Sequence, residues 1–209
     1  MNFKNIKNII FDLGGVVIDI DFELTFKAFA TLGNKSLDET KKIMTDLNIW
    51  DSYERGEITD QEFINIMRKA MGFSQTDEEI IMAWNALLLE LPKERVELIK
   101  RLNKSYQTFV LSNTSNLHIQ GLNKILKQSS GYDKLHDVMN NTIYFSYEIK
   151  RRKPDLDIYE YVLKESNLKA EETVFLDDNL DNILAARKVG IEAIHVEVPE
   201  TILHYLKDA

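Results

Sequence analysis

The 209-residue sequence contains no cysteine, which excludes a disulfide framework, a thiolate metal site and a thiol nucleophile together. A chain without cysteine suits a reducing compartment, and the cytoplasm is the expected address. Proline and glycine are sparse, at 3 and 8 residues, which argues against collagen-like and low-complexity chains and for abundant regular structure. Basic residues are outnumbered: 26 Lys and Arg stand against 34 Asp and Glu, a net charge of −8. The average surface therefore repels nucleic-acid phosphates and anionic lipid headgroups, so neither nucleic acid nor membrane is an expected partner. Long apolar runs are missing too. The most apolar N-terminal stretch, Ile9 to Ile20, is interrupted by Asp12 and Asp19 and lacks a small-residue cleavage site. No window approaches the roughly 18 uncharged apolar residues of a membrane span, so the chain is expected to be neither exported nor membrane-inserted.

What is present is a globular composition, 44% hydrophobic and 29% charged, in a chain long enough for one large domain or a core with an insertion. The opening Lys7-Asn8-Ile9-Ile10-Phe11-Asp12 is apolar without alternation and runs into Gly14-Gly15, the pattern of a strand covered on both faces that ends in a tight turn. Similar segments follow at 108–113, 142–146, 173–178 and 193–196, with helical spacing between them. This alternation predicts an α/β fold with a doubly wound parallel sheet. Residues 21–91 break it, carrying four successive segments with apolar residues three and four apart and no strand pattern. Ser36 with Glu39, Thr59 with Glu62, and Thr76 with Glu79 have the spacing of capping boxes, and Pro92 closes the block. The expected division is a core of residues 1–20 and 92–209, with 21–91 a helical cap over the carboxyl edge of the sheet. Trp50, Tyr53 and Trp84 read as the packing of that cap.

In an open parallel sheet the carboxyl ends of the strands converge on one crevice. That brings Asp12, Ser112, Asn113, Asp177 and Asp178 together, with Lys153 of Arg152-Lys153-Pro154-Asp155 arriving between the third and fourth strands. Two carboxylates about 4 Å apart repel by ~4 kcal/mol at an effective dielectric of 20. Protonation or a cation relieves this, and an all-oxygen set suits Mg²⁺. Zinc would want histidine or cysteine, and the four histidines, at 118, 136, 195 and 204, show no ligand spacing. Each residue has a plainer reading as well: Asp177 or Asp178 as a helix N-cap, Ser112-Asn113 as a capped turn, and Lys153 as one charge in a solvated run.

The ordered set Phe11-Asp12-Leu13-Gly14-Gly15-Val16, Val110-Leu111-Ser112-Asn113-Thr114, Arg152-Lys153-Pro154-Asp155 and Phe175-Leu176-Asp177-Asp178-Asn179 resembles the haloacid dehalogenase superfamily across the whole chain. The insert is similar to that family's first-type cap, and Glu54-Arg55-Gly56-Glu57-Ile58 is shared with its α-glucose-1-phosphate phosphatase-like branch. The resemblance implies a Mg²⁺-dependent phosphatase of a small phosphorylated metabolite, with a sugar phosphate as the expected substrate. It makes Asp12 the nucleophile that forms an aspartyl-phosphate; Asp12, Asp178 and the Gly14 carbonyl would hold the metal, with Asp177 and Asn182 supporting it. Ser112 and Asn113 would hold phosphoryl oxygens beside a helix N-terminus, and Lys153 would neutralise charge. Arg55 is the candidate for substrate selection in the cap, against a salt bridge to Glu54 or Glu57.

One position departs from that pattern. Two residues after the nucleophile the family's phosphatases usually carry a second aspartate that protonates the leaving oxygen, and Gly14 stands there. Losing general-acid help of typically 10²–10⁴-fold biases the expectation toward esters with good leaving groups, unless Asp19 or Asp21 substitutes. Two rival readings follow from the same departure: a dehalogenase that uses Asp12 on carbon without metal, and a catalytically degenerate phospholigand-binding protein.

Overall fold

A computed structural model describes residues 3–72 and 74–209. Five parallel strands, β1 (Asn8–Phe11), β2 (Gln107–Ser112), β3 (Ile143–Phe145), β4 (Thr173–Asp177) and β5 (Glu192–His195), form one sheet in the order β3-β2-β1-β4-β5. The first strand lies at the centre, with Ile9 beside Thr108 on one flank and Val174 on the other. Its continuous apolar run is explained by burial on both faces. Ile9 and Phe11 pack with Val110, Val174 and Leu176 on one side, whereas Ile10 packs with Phe109, Leu111 and Phe175 on the other. Two cores on opposite faces of one sheet are what a doubly wound topology requires. Helices α6 (Lys93–Leu102) and α7 (Asn116–Ser130) cover the first face, and α9 (Leu156–Glu165) and α10 (Leu180–Lys188) the second. The short α8 (Ser146–Ile149) and α11 (Ile202–Tyr205) complete the α/β part. Among the described residues no helix is long and apolar enough to cross a membrane.

Between β1 and β2 the chain is helical, as its periodicity predicts. Five α-helices stand where the spacing shows four: α1 (Phe22–Gly33), α2 (Leu37–Asp46), α3 (Ile49–Glu54), α4 (Asp60–Met71) and α5 (Asp77–Trp84). The addition is α3, six residues entered through a left-handed Asn48 with no side-chain cap, too short to show a period. Thr59–Glu62 and Thr76–Glu79 form full reciprocal capping boxes. Ser36 accepts from the Glu39 N–H, but the Glu39 carboxylate turns to Lys35 at 2.8 Å instead.

The insert has its own core around Phe29, Met44, Phe63, Met67 and Trp84, and Leu117 of α7 enters it, so the insert is seated on the sheet's covering helix. Its two ends run side by side. The Asp19 N–H donates to the Glu90 carbonyl at 2.8 Å, Leu89 N–H to Asp19 at 2.9 Å, and Asp21 N–H to Leu87 at 2.9 Å. The segments at 19–21 and 87–90 thus form a paired double linker.

Candidate active site

Asp12 follows the last residue of β1, its N–H still hydrogen-bonded to the Leu176 carbonyl at 2.9 Å, so the ladder fixes where its carboxylate emerges. Lys153 lies beneath it, 1% exposed, with Nζ 3.0 Å from Asp12 Oδ1 and 2.6 Å from Asp177 Oδ2. This is a buried cation, and the solvated-run reading does not hold. Asp177 is fully enclosed: Oδ1 accepts from the Asn179 N–H at 2.8 Å, and the Asn182 amide donates to both oxygens at 3.0 and 3.1 Å. The N-cap of α10 is Asn179, which accepts from the Asp181 N–H, so neither Asp177 nor Asp178 serves as that cap.

Oxygens of Asp12, Asp177 and Asp178 all lie within 4.8 Å of one another. Three carboxylates against the single Lys153 ammonium leave a formal charge of −2 when all are ionised. Burial pushes the Asp12 carboxyl up to about 7; Lys153 opposes this while Asp177 and Asp178 add to it. Burial, then Asp177, likewise raises Asp178. Burial works against the Lys153 charge, but Asp12 and Asp177 outweigh it and hold that pKa above its ordinary value. The donor set is all oxygen and short of positive charge, which fits a hard divalent cation. Asp12 and Asp178 could hold it directly, because the Asp177 oxygens are already engaged by Lys153, Asn179 and Asn182; Gly14, expected to add its carbonyl, lines the same cavity.

The Gly14-Gly15 turn is shaped by close approach. Gly15 has φ +71°, and a Cβ there would sit 2.4 Å from Asp178 Oδ2, so the residue that lets the turn form also lets Asp178 reach the site. At Gly14 a Cβ would lie 2.7 Å from Ile20 Cδ1: an isoleucine occupies the space an acid at position 14 would need. Neither proposed substitute replaces that acid here. Asp19 pairs with Arg95 at 2.8 Å, and Asp21 caps α1 through the Glu23 N–H.

Ser112 ends β2, and its hydroxyl makes a long 3.5 Å contact to the Asn113 carbonyl, leaving it available to a ligand. The Asn113 side chain is committed to positioning: Nδ2 donates to the Lys153 carbonyl and Oδ1 accepts the Lys153 N–H, both at 2.9 Å. Beyond them α7 begins under the Ser115 cap, whose hydroxyl accepts from the His118 N–H.

A cavity of about 430 Å³ opens over these groups, floored by Asp12, Ser112, Asn113, Lys153, Asp178 and Asn182 and walled from the insert by Phe22, Phe26, Trp50 and Glu54. Arg55 is not among its walls. Its guanidinium bridges Asp51 at 3.0 Å and Asp155 at 2.9 Å, a seam between insert and core that differs from both the substrate role and the Glu54 or Glu57 bridge expected of it. The charged insert residue at the cavity is Glu54, 7% exposed and 2.8 Å from Arg152. Burial raises its pKa against the pull of Arg152. Trp50, read from sequence as packing, does both jobs: it packs on Trp84 at 4.2 Å with the rings tilted by 35°, and it lines the cavity.

A family model for haloacid dehalogenase-like hydrolases matches residues 6–190. The D-ribitol-5-phosphate phosphatase of Bacteroides thetaiotaomicron is 32% identical over 192 residues, 92% of this chain and 92% of its own. A sesquiterpene phosphatase of Aspergillus oryzae, astK, is 26% identical over 91% of this chain and 89% of its own. Among solved structures, a HAD family enzyme of Bacteroides thetaiotaomicron superposes with a TM-score of 0.90 at 31% identity, covering 97% of this chain and 99% of that one. A complex of that enzyme with magnesium and inorganic phosphate superposes with a TM-score of 0.85 at 30% identity, over 96% and 98% of the two chains. The match extends over sheet, insert and the polar strand ends alike, and the chain belongs to the haloacid dehalogenase-like hydrolases.

Proposed function

We propose that the protein is a Mg²⁺-dependent phosphatase of a small sugar or polyol phosphate, acting through an aspartyl-phosphate on Asp12. The observation that carries this is the cluster of Asp12, Asp177 and Asp178 around a single buried lysine at the floor of a cavity. The charge deficit calls for a divalent cation, and a fold relative was crystallised with magnesium and phosphate. The relative at 32% identity, by its name, hydrolyses a polyol phosphate.

The residues divide the work as phosphoryl transfer demands, by position and charge. The Ser112 hydroxyl, on the cavity floor, orients the phosphoryl oxygens, while Lys153 neutralises charge on Asp12 and on the phosphate. Asp12 attacks phosphorus in line; its P–O bond forms as the bond to the ester oxygen breaks, and the electron pair leaves on that oxygen, which takes its proton from solvent because no acid stands at position 14. Water then attacks the same phosphorus, freeing inorganic phosphate and restoring the Asp12 carboxylate. Bound Mg²⁺ would screen the negative charge of nucleophile and phosphate so that they can meet. Residues 21–91 act as the cap, their Trp50 and Glu54 closing the site from above and limiting bulk water.

The test is phosphate release from a panel of sugar and polyol phosphates with and without Mg²⁺, beside Asp12→Asn. Mg²⁺-dependent release that vanishes in Asp12→Asn is expected. An active Asp12→Asn protein removes the nucleophile, and chelator-insensitive halide release from haloacids, with no phosphate release, turns the reading to the dehalogenase.

A further inference from the structure

A second, smaller cavity of about 60 Å³ shares Gly14, Ile20, Trp50, Glu54 and Ser112 with the main one and reaches His118 in the first turn of α7. Its deeper walls are otherwise largely apolar, formed by Leu87, Leu88 and Ile119 among others. His118 is 6% exposed, its ring stacked on Trp84 at 4.5 Å and 6°. Nδ1 lies 2.9 Å from Asn85 Oδ1. An amide oxygen can only accept, so Nδ1 carries the proton and Nε2 presents a bare lone pair. Gly121 makes this pairing possible, since a Cβ there would press on the Asn85 amide at 3.1 Å. Nε2 itself is buried and has no hydrogen-bond partner among the described residues. Burial holds the imidazole pKa down at about 3, so the lone pair persists across the physiological range.

A buried acceptor left unpaired is costly, and rare enough in native proteins to need a reason. Here the reason lies in where it sits: His118 lines a recess that shares walls with the cavity over the catalytic floor, Glu54, held by Arg152, among them. We propose that His118 Nε2 accepts a hydrogen bond from a hydroxyl on the carbon chain of the substrate, making this recess a specificity site for hydroxylated phosphate esters. This rests on the phosphatase reading above and adds the residue that selects the substrate. The ring is locked by stacking and by Asn85, so a hydroxyl that meets the lone pair loses little entropy, while a hydrocarbon tail leaves Nε2 unpaired.

The experiment compares a pentitol phosphate with its monodeoxy analogues, using wild type and His118→Phe, a change that keeps a stackable ring and removes the acceptor. One deoxy position is expected to lower wild-type kcat/KM by roughly tenfold or more, mainly through KM, and that penalty should collapse toward one in His118→Phe. Identical deoxy penalties in both proteins overturn the proposal and assign the recess to water. As a measurement that needs no substitution at position 118, the ¹⁵N resonance of Nε2 is followed in Asp12→Asn protein with Mg²⁺. An upfield movement with the pentitol phosphate but not with inorganic phosphate supports the hydrogen bond; the same response to both, or none, removes it. Wild type that turns over the pentitol phosphate without the resonance moving sinks this inference alone. Movement of the resonance without any turnover sinks the phosphatase reading, and leaves His118 as a binding contact that selects no substrate.

Discussion

At the scale of single residues, Asp12 and Lys153 carry opposite costs that each reduces in the other. The Asp12 carboxyl titrates near 7, displaced upward from 3.8 by burial first, so the folded state holds its proton more tightly than the unfolded chain does. The sign follows from linkage: this contribution to stability is complete below about pH 4 and is lost as pH rises through about 7. Metal-free protein should therefore show a Tm that declines between pH 4 and 7 by thermal denaturation, and Asp12→Asn should flatten the decline. Because Mg²⁺ and the proton compete for the same oxygens, added Mg²⁺ should flatten it too, and the acid limb of the activity profile should move to lower pH as Mg²⁺ increases. Lys153→Met leaves Asp12 and Asp177 buried with no cation between them. Removing one partner of a buried ion pair costs about 3–5 kcal/mol, so urea unfolding at pH 7.5 should show a loss of that size. The loss should shrink at pH 5, where Asp12 is neutral, and shrink again with Mg²⁺.

At the scale of elements, the turn between β1 and the insert determines whether the cation can be held. Gly15→Ala forces a side chain into a left-handed φ of +71° and onto Asp178 Oδ2. The expected result is a rise of roughly tenfold or more in the Mg²⁺ concentration for half-maximal activity, with substrate KM at saturating Mg²⁺ changed much less. This turn was also where the sequence was most readable. Asp12, Ser112 and Asp177-Asp178 each end an apolar run, and strand ends of a parallel sheet meet, so the floor of the site followed from one-dimensional pattern plus topology. The same applied to the doubly wound sheet and to the caps at Thr59 and Thr76. What did not follow was the roof. Arg55 and Glu54 are adjacent in sequence but about 100° apart around a helix, and which of them meets the cavity depends on how α3 is rotated over the sheet. That rotation is set by packing between insert and core, as is the position of Trp50. The orphaned nitrogen of His118 is still less visible, since it depends on Asn85 and Gly121 meeting from separate elements.

At the scale of the whole molecule, insert and core are joined by a greasy seat and a rim of polar contacts. Leu117 enters the insert's core and Trp84 Nε1 donates to Ser115 at 3.1 Å, whereas Arg55–Asp155, Asn116–Asp60 and the Lys150 contact to the Gly56 carbonyl lie around the edge. Partly exposed pairs of the rim kind contribute about 0–1 kcal/mol each. Arg55→Ala should accordingly shift chemical unfolding by less than about 1 kcal/mol. On the proposed function, in which residues 21–91 close over the site, it should still raise KM and weaken its dependence on ionic strength, because the pair it removes joins insert and core; steady-state kinetics across a salt series checks this. The double linker adds a consequence of its own. Residues 19 and 90 are hydrogen-bonded neighbours, so the chain leaves the sheet and returns to it through one socket whose two edges are already in register. A foreign helical module ending in two short antiparallel segments could be plugged into that socket without re-threading the sheet. The fold is in this sense a chassis, whose head could be exchanged while the chemistry at the strand ends stays as it is.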